Sequence, residues 1–491
     1  MRRDTQEPQR TQRPPRTRCL CGPGGSFRGV IALALLLSAV ALQIRALAHV
    51  GSPDVFLEGQ AGPYRLFVTV RPPHAIPGVA DVDILAVSDD IRDVKIVPMP
   101  LTGPGAQFAP VADRAARSAE DPRLFTGHLW MMGAGAWQVR VTVGGDRGEG
   151  TLSVPVPTLP QSTLAMSGGL RATLFLLMLL LAAGFIGIVS ALAREARLPP
   201  GETIDRRARV RGWIAGVGAT VTVAAIVVLG NNWWSVEASN YDRYVYKPLS
   251  ASATVNSESH LKLYLSDPGW IASRRLDDFV PDHGHLMHLF IVSPALDRLW
   301  HLHPDEIDAG TFEQRLPDVP AGDYELFADV VHATGVSETV TGRLTTQAIQ
   351  GDSLSGDDSG WNGAADNSKI VWLRDDKPLA PKRLTTFTFR VEDADGQPAR
   401  DLELYMGMPG HAIFVRRDRR IFAHVHPSGS APMAAMHIAM PAAADHVHEE
   451  MALPSTVTFP YGFPEPGDYR IFVQVKRAGR VVTGVFDAHV P

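Results

Sequence analysis

Two stretches of this chain, Ala172–Ala193 (ATLFLLMLLLAAGFIGIVSALA) and Gly212–Gly230 (GWIAGVGATVTVAAIVVLG), contain no charged residue. Roughly 20 apolar residues are what a helix needs to cross the hydrocarbon core of a bilayer. Residues 194–211 between them, REARLPPGETIDRRARVR, hold six arginines against three acidic residues. By the positive-inside rule that loop is cytoplasmic, and Trp233, Trp234 and Tyr241 fall where the outer interfacial belt belongs. The pair therefore reads as a two-helix transmembrane anchor (172–193 and 212–230) that leaves everything else outside the cytoplasm. With no charge inside the spans there is no sign of an ion path, and Gly212-x-x-x-Gly216 has the spacing that lets two helices approach closely.

The N-terminus agrees with export. Residues 1–28 carry seven arginines, the apolar run Val30–Leu42 follows, and Ala46-Leu47-Ala48 has the small-x-small form of a cleavage site. Residues 1–48 are expected to be a signal peptide, or else an uncleaved signal anchor held back by Arg45. The expected location is the bacterial inner membrane, with N-terminal and C-terminal domains on the periplasmic side.

At 491 residues the chain is long enough for about three domains, and its net charge of −5 gives no reason to expect a nucleic-acid partner. The only cysteines are Cys19 and Cys21. Later segments can form neither a disulfide nor a thiolate metal site, so any metal must be held by His, Met, carboxylate or backbone groups.

The exported segments alternate apolar and polar residues between Gly/Pro turns, as in YRLFVTVRP, DVDILAVS and AWQVRVTVGG, which is the period of half-buried strands. The expected fold class is all-β. Three Ig-like or cupredoxin-like β-sandwich domains are predicted at 49–165, 241–346 and 369–491, in addition to the anchor. Residues 347–368, rich in Gly, Ser and Asp, read as a linker.

The second and third segments are copies of one another. HLFIVSPALDRLWHLHP (His288–Pro304) aligns without a gap on HAIFVRRDRRIFAHVHP (His411–Pro427), and PAGDYELFADV (Pro320–Val330) on EPGDYRIFVQV (Glu465–Val475). A duplicated unit explains this. Each aligned block can form a hairpin with a four-residue loop, Pro294–Asp297 or Arg417–Arg420. That register sets His288 opposite His303 and His411 opposite His426. Residues two apart share a strand face, so His301 joins the first pair and His424 the second. Two imidazole triads result, of a type that suits copper, zinc or nickel. The competing reading makes these histidines structural, copied by duplication without a metal, and a one-residue slip would scatter them.

An insertion in the third segment favours copper. It carries Met433, Met436, His437, Met440, His446, His448 and Met451, and Met406 and Met408 stand just before His411. Thioether sulfur selects Cu(I) and binds zinc or magnesium poorly; the alternative is an amphipathic helix that packs its methionines. His285 precedes the upstream triad, beside His283. Cleavage after Ala48 would leave His49 with an α-amino group and an imidazole able to brace a copper ion, with His74 or His128 as partner.

The stretch DGQPARDLELYMGMPGHAIFV…FAHVHP resembles exported bacterial β-sandwich modules of the YtkA/FixH-like kind, and PDHGHLMHLFIV…LWHLHP is similar to a sister version. The first exported domain is loosely similar to CopC-like copper carriers, although it lacks an Asp-x-His pair near its last strand. The resemblance implies Ig-like sandwiches and metal handling outside the cytoplasm. The expectation is a non-enzymatic, membrane-anchored, periplasmic copper-binding protein acting in sequestration, delivery or sensing. Its cofactor would be a copper ion, and its partners the membrane and periplasmic copper or oxidase-assembly proteins. Two rivals stand beside it: a scaffold or assembly factor with structural histidines, and an enzyme built on an N-terminal copper brace. No Ser/His/Asp arrangement, paired-carboxylate motif or phosphate loop points to other catalysis.

Overall fold

The computed structural model describes residues 54–164, 166–199, 201–270, 274–361, 369–375, 377–441 and 453–491. The segment 1–48, His49, His446, His448 and Met451 lie outside the described residues. The fold is mostly β, with several sheets and two long apolar helices.

The N-terminal region builds two sheets from the alternating segments. Val55–Ala61, Tyr64–Arg71, Gly78–Ala86, Leu124–Met131 and Ala116–Arg117 form one; Asp113–Arg114, Ile91–Pro100, Gly135–Gly145 and Gly148–Thr158 form the other. Alternation places Tyr64, Leu66, Val68 and Val70 of the first against Val139, Val141 and Val143 of the second in one continuous core. Each fully buried aliphatic of that size contributes about 1.5–3 kcal/mol, which makes the interleaved faces the main source of stability here.

Two helices follow, α1 (Gly168–Glu195) and α2 (Arg206–Asp242), both long and apolar enough to cross a membrane. α1 buries none of its residues against the rest of the molecule. The helices meet at the Gly212-x-x-x-Gly216 face. Ser190 Oγ donates to the Gly212 carbonyl at 2.9 Å, and a Cβ on Gly212 would come within 3.0 Å of the Arg194 Cβ. α2 runs past Gly230 and carries Trp233, Trp234 and Tyr241, all exposed, on its last turns.

Beyond the helices the duplication is realised strand for strand. In the first copy His288–Val292 pairs antiparallel with Leu299–Leu302 and with Gly322–Val331; in the second, His411–Arg416 pairs with Phe422–Val425 and with Gly467–Arg477. The registers are equivalent: His288 faces Asp329 as His411 faces Gln474. The Leu289–Leu302 and Ala412–Val425 pairs set His288 beside His303 and His411 beside His426, as the hairpin reading requires.

All five residues of His288–Val292 are buried because both strand faces are covered. Leu289 and Ile291 enter the core of their own copy. Phe290 and Val292 point the other way, into a separate cluster with Leu299, Phe327, Ile413, Val415, Phe422 and Phe472. These pair off as aligned equivalents: Phe290 with Ile413, Val292 with Val415, Leu299 with Phe422, Phe327 with Phe472. The copies thus pack through the same face, in the manner of an isologous dimer within one chain.

Two segments depart from expectation. The Gly/Ser/Asp-rich stretch read as a linker contributes a strand, Ser359–Trp361, paired with Leu299–Leu302. Ser359 is buried and Trp361 packs edge-on against Phe472. Polar composition hid it because its role is to supply side-chain acceptors to the neighbouring strand. Part of the Met/His insertion forms a helix, α3 (Met433–Ala439). The segment between His426 and α3 is stitched to the N-terminal strand: Glu58 N–H donates to the Ser428 carbonyl at 2.7 Å and Ser430 N–H to the Phe56 carbonyl at 2.9 Å. Phe56 itself sits in the core of the third segment.

Candidate metal centre

The apolar cluster between the copies gives way, toward one end of the same strands, to histidines. His288 precedes Phe290 on its strand, His301 and His303 follow Leu299, and the second copy repeats the order. Eight described histidines meet here: His283, His285, His288, His301, His303, His411, His424 and His426, linked by ring-to-ring distances of 4.1–6.4 Å. The face that carries each expected triad does not look into its own sandwich or into solvent. It is pressed against the equivalent face of the other copy, so the expected two sites form one centre.

At the level of ring positions both triads are present. Centroids of His288, His301 and His303 lie 5.3, 4.6 and 5.1 Å apart, and those of His411, His424 and His426 lie 5.3, 4.7 and 5.1 Å apart. The donor atoms differ. In the upstream copy the nitrogens of His288, His301 and His303 lie within 4.8 Å of one another. In the downstream copy it is His283, from the other copy, that converges with His411 and His426. His424 turns Nδ1 toward Asp329 Oδ2, 3.5 Å away, and its ring stands beside His288 and His301 as well as His411 and His426. His424 thus keeps its place beside His411 and His426 by ring position, while His283 brings a third nitrogen within 4.8 Å of theirs.

The hydrogen bonds fix the proton on each upstream ring. His288 Nε2 lies 3.1 Å from the Asp282 carbonyl, which can only accept, so Nε2 carries the hydrogen and Nδ1 a lone pair. Gln474 Nε2 donates to Ser359 Oγ at 2.7 Å, which turns its Oε1 toward His301 Nδ1 at 3.0 Å. His301 Nδ1 therefore holds the hydrogen and Nε2 a lone pair. His303 Nδ1 donates to Asp358 Oδ1 at 3.0 Å, leaving Nε2 buried without a partner. Each ring keeps one lone pair, one nitrogen of each ring lies within 4.8 Å of the others, and two lone pairs, His288 Nδ1 and His301 Nε2, face each other at 3.1 Å. Two unprotonated nitrogens at that distance repel unless a cation lies between or beside them.

A proton is a poor cation for this place. Burial holds His288 and His301 well below the usual imidazole range, with the neighbouring rings adding to the effect. His303 is also lowered by burial, against the pull of Asp358. The same cause keeps His411 and His426 well below that range and lowers His283. At neutral pH these rings are neutral, the form that binds metal. Each upstream ligand also donates its other N–H to a carbonyl, an amide or a carboxylate, the outer-shell arrangement that orients metal-binding imidazoles.

The polar groups left without partners make the same point by magnitude. Among the described residues, His303 Nε2, both nitrogens of His411, His424 Nε2 and His426 Nδ1 are buried and lack hydrogen bonds. At about 1–3 kcal/mol each, the five nitrogens amount to roughly 5–15 kcal/mol, as much as the whole stability of an ordinary domain. Metal coordination would remove much of that penalty.

The remaining expected residues separate. His285 stacks on His303 at 4.1 Å and lies 3.3 Å from Asp357 Oδ2, with its side chain 30% exposed. Met406 is buried and Met408 half-buried, on the turn that leads into His411. Met436 and Met440 pack on the core of the N-terminal region, and the Met440 sulfur accepts from Ser153 N–H at 3.4 Å. Both lie on apolar surface, beside Ala431, rather than among the clustered histidines. His437 is exposed and Met433 half-buried. Asp282 ties α3 to the centre, accepting from Ala434 N–H at 2.7 Å while its carbonyl holds His288. In the N-terminal region His128 is bound to Asp81 at 2.8 Å and His74 to Gln161 at 2.7 Å.

Sequence reasoning missed Gln474, Asp357, Asp358 and the meeting of His283 with His411 and His426. A signal for His283 existed. Carrying the ungapped alignment back six residues sets DHGHLMH on YMGMPGH, which pairs His283 with Met406 and His285 with Met408. Both turns have the same backbone: His283 at φ 52 and Met406 at φ 50, followed by Gly284 at φ 86 and Gly407 at φ 75. A left-handed glycine is needed at the second position of each.

A family described as Domain of unknown function (DUF8832) matches residues 239–348 and 364–491, the two stretches that hold the copies. No curated protein matches the chain. Among solved structures it is similar to a Salmonella alpha-2-macroglobulin reacted with methylamine, at 10% identity and a TM-score of 0.19, over 90% of this chain and 23% of that one. It is similar to the native Escherichia coli alpha-2-macroglobulin at 9% identity and a TM-score of 0.19, over 91% of this chain and 23% of that one. The BSP domain of a biofilm associated protein matches at 7% identity and a TM-score of 0.15, over 93% and 69% of the two chains. The chain thus spans about a quarter of the macroglobulins, and at these scores none of the likenesses supports an argument.

Proposed function

We propose that this is a membrane-anchored copper-binding protein of the bacterial inner membrane, acting in copper sequestration, delivery or sensing on the periplasmic side. The observation that carries the reading is the meeting of His288, His301 and His303, one nitrogen of each within 4.8 Å of the others, on rings whose lone pairs are set by hydrogen bonds to Asp282, Gln474 and Asp358. Calcium and magnesium require oxygen ligands and are disfavoured. Among first-row divalent ions imidazole sites bind copper most tightly, and the turn just before His411 carries two soft thioethers, Met406 and Met408. In this reading the two copies are Ig-like or cupredoxin-like sandwiches, α1 and α2 are the anchor, and the basic loop 194–211 is cytoplasmic.

The test is equilibrium copper binding to the full-length apo-protein in detergent, by competition with chelators of known affinity, beside His301→Ala. Binding tighter than micromolar that falls at least about tenfold in the variant supports the reading. Weaker binding, or tight binding indifferent to His301, overturns it, and preferential retention of zinc would replace copper as the metal.

A further inference from the structure

We propose that the centre holds two copper ions in unlike surroundings, because the copies exchange one ligand each across their interface: His283 completes the downstream site and Met406, its counterpart, the upstream one. This rests on the copper reading above and extends it to stoichiometry and valence.

The exchange follows from the pseudo-twofold relation. The apolar contact between the copies is made of aligned equivalents. The second sphere is reciprocal too: Gln474 of the second copy meets His301 of the first, and its counterpart Asp329 of the first copy meets His424, the counterpart of His301. His283 crosses in the same sense. It leaves its own copy to lie with Nε2 3.2 Å from His426 Nε2, its ring 5.2 Å from His411. Met406 occupies the equivalent left-handed position and is 7% exposed, and its backbone lies against His283. The symmetry that carries His283 to His411 and His426 carries Met406 toward His288 and His303.

The second site has its own support. His411 is fully buried with both ring nitrogens unpartnered, and His426 Nδ1 is unpartnered as well. His424 stands between the halves, 5.3 Å from His288 and 4.7 Å from His426 by ring centroids, with a buried Nε2 facing no hydrogen-bond partner. An imidazole-only downstream site suits Cu(II), whereas an upstream site with a thioether suits Cu(I). The pair is therefore built to hold copper in either valence, with His424 as the shared ring.

The experiment uses full-length protein in detergent, loaded with copper and freed of excess, with copper per chain measured by mass spectrometry. Wild type should hold two ions and His283→Gln one. Met406→Leu, which keeps size and apolarity, should keep two Cu(II) but bind one Cu(I) at least about tenfold more weakly. Oxidised wild type should give a broadened, coupled Cu(II) electron paramagnetic resonance signal, and His283→Gln a single isolated one. One ion in wild type, with His283→Gln indifferent, overturns the proposal and leaves the single upstream site standing. No histidine-dependent copper at all overturns the functional reading itself. Unchanged Cu(I) affinity in Met406→Leu overturns the exchange of ligands.

Discussion

Acidification should unfold the apo-protein over a pH range where ordinary domains of this composition are indifferent. Burial depresses the imidazole pKa of six residues, His283, His288, His301, His303, His411 and His426, below the ordinary value of about 6.5. A base whose folded pKa is depressed binds fewer protons folded than unfolded. Its contribution to stability is therefore intact well above about pH 6.5 and is lost as pH falls through that value toward the folded pKa. Between about pH 7.5 and about pH 5.5 every ring that stays neutral in the fold while its unfolded counterpart takes up a proton withdraws stability, at about 1.4 kcal/mol for each unit by which the two pKa values differ. An ordinary domain has only about 5–15 kcal/mol to lose. The assay is urea unfolding of chelator-treated full-length protein in detergent, followed by tryptophan fluorescence, because Trp300 lies in the first copy's core and Trp361 against the interface cluster. The urea midpoint should collapse between those pH values. Replacing His411 and His426 together by Gln should flatten the dependence. A midpoint that does not move over that range would refute the account of neutral, buried imidazoles.

Other outcomes follow from the same geometry. Gln474→Leu removes the acceptor that fixes the His301 tautomer, so copper affinity should fall about 10–100-fold in competition titrations, while the strand itself stays paired. His285→Ala should slow copper uptake in stopped-flow mixing without changing the final copper content, since His285 is the half-exposed ring stacked on His303. Gly429 has φ 124, and a Cβ there would sit 1.9 Å from the Phe56 carbonyl. Gly429→Ala should therefore release the N-terminal region from the second copy, seen as new protease cleavage near residues 56–58, with loss of about 1–3 kcal/mol.

Much of this was legible in the chain because it depends on period and repetition. The alternation of YRLFVTVRP located a strand, the two uncharged spans located α1 and α2, and the aligned blocks gave the hairpin register that brings His288 to His303 and His411 to His426. What lay beyond reach was the partner of each buried face. A strand such as HLFIV, apolar on both sides, says that two surfaces cover it but not which ones. Here one is its own sheet and the other is its duplicate, which is why two expected sites became one centre. The same blindness hid Asp358 and Ser359 in a stretch that looked like linker, and it hid the apolar surface on which Met436 and Met440 lie. Soft side chains in an Ala-rich segment serve a metal or a hydrophobic surface equally well, and only the neighbouring core decides.

The most direct test of the central claim is the anomalous difference density, measured at the copper edge, of crystals of the copper-loaded full-length protein. The account predicts a peak within about 2.0–2.2 Å of His288 Nδ1, His301 Nε2 and His303 Nε2 together, a distance usual for metal–imidazole bonds. Copper bound elsewhere, with those three nitrogens still facing one another and no peak among them, would contradict it.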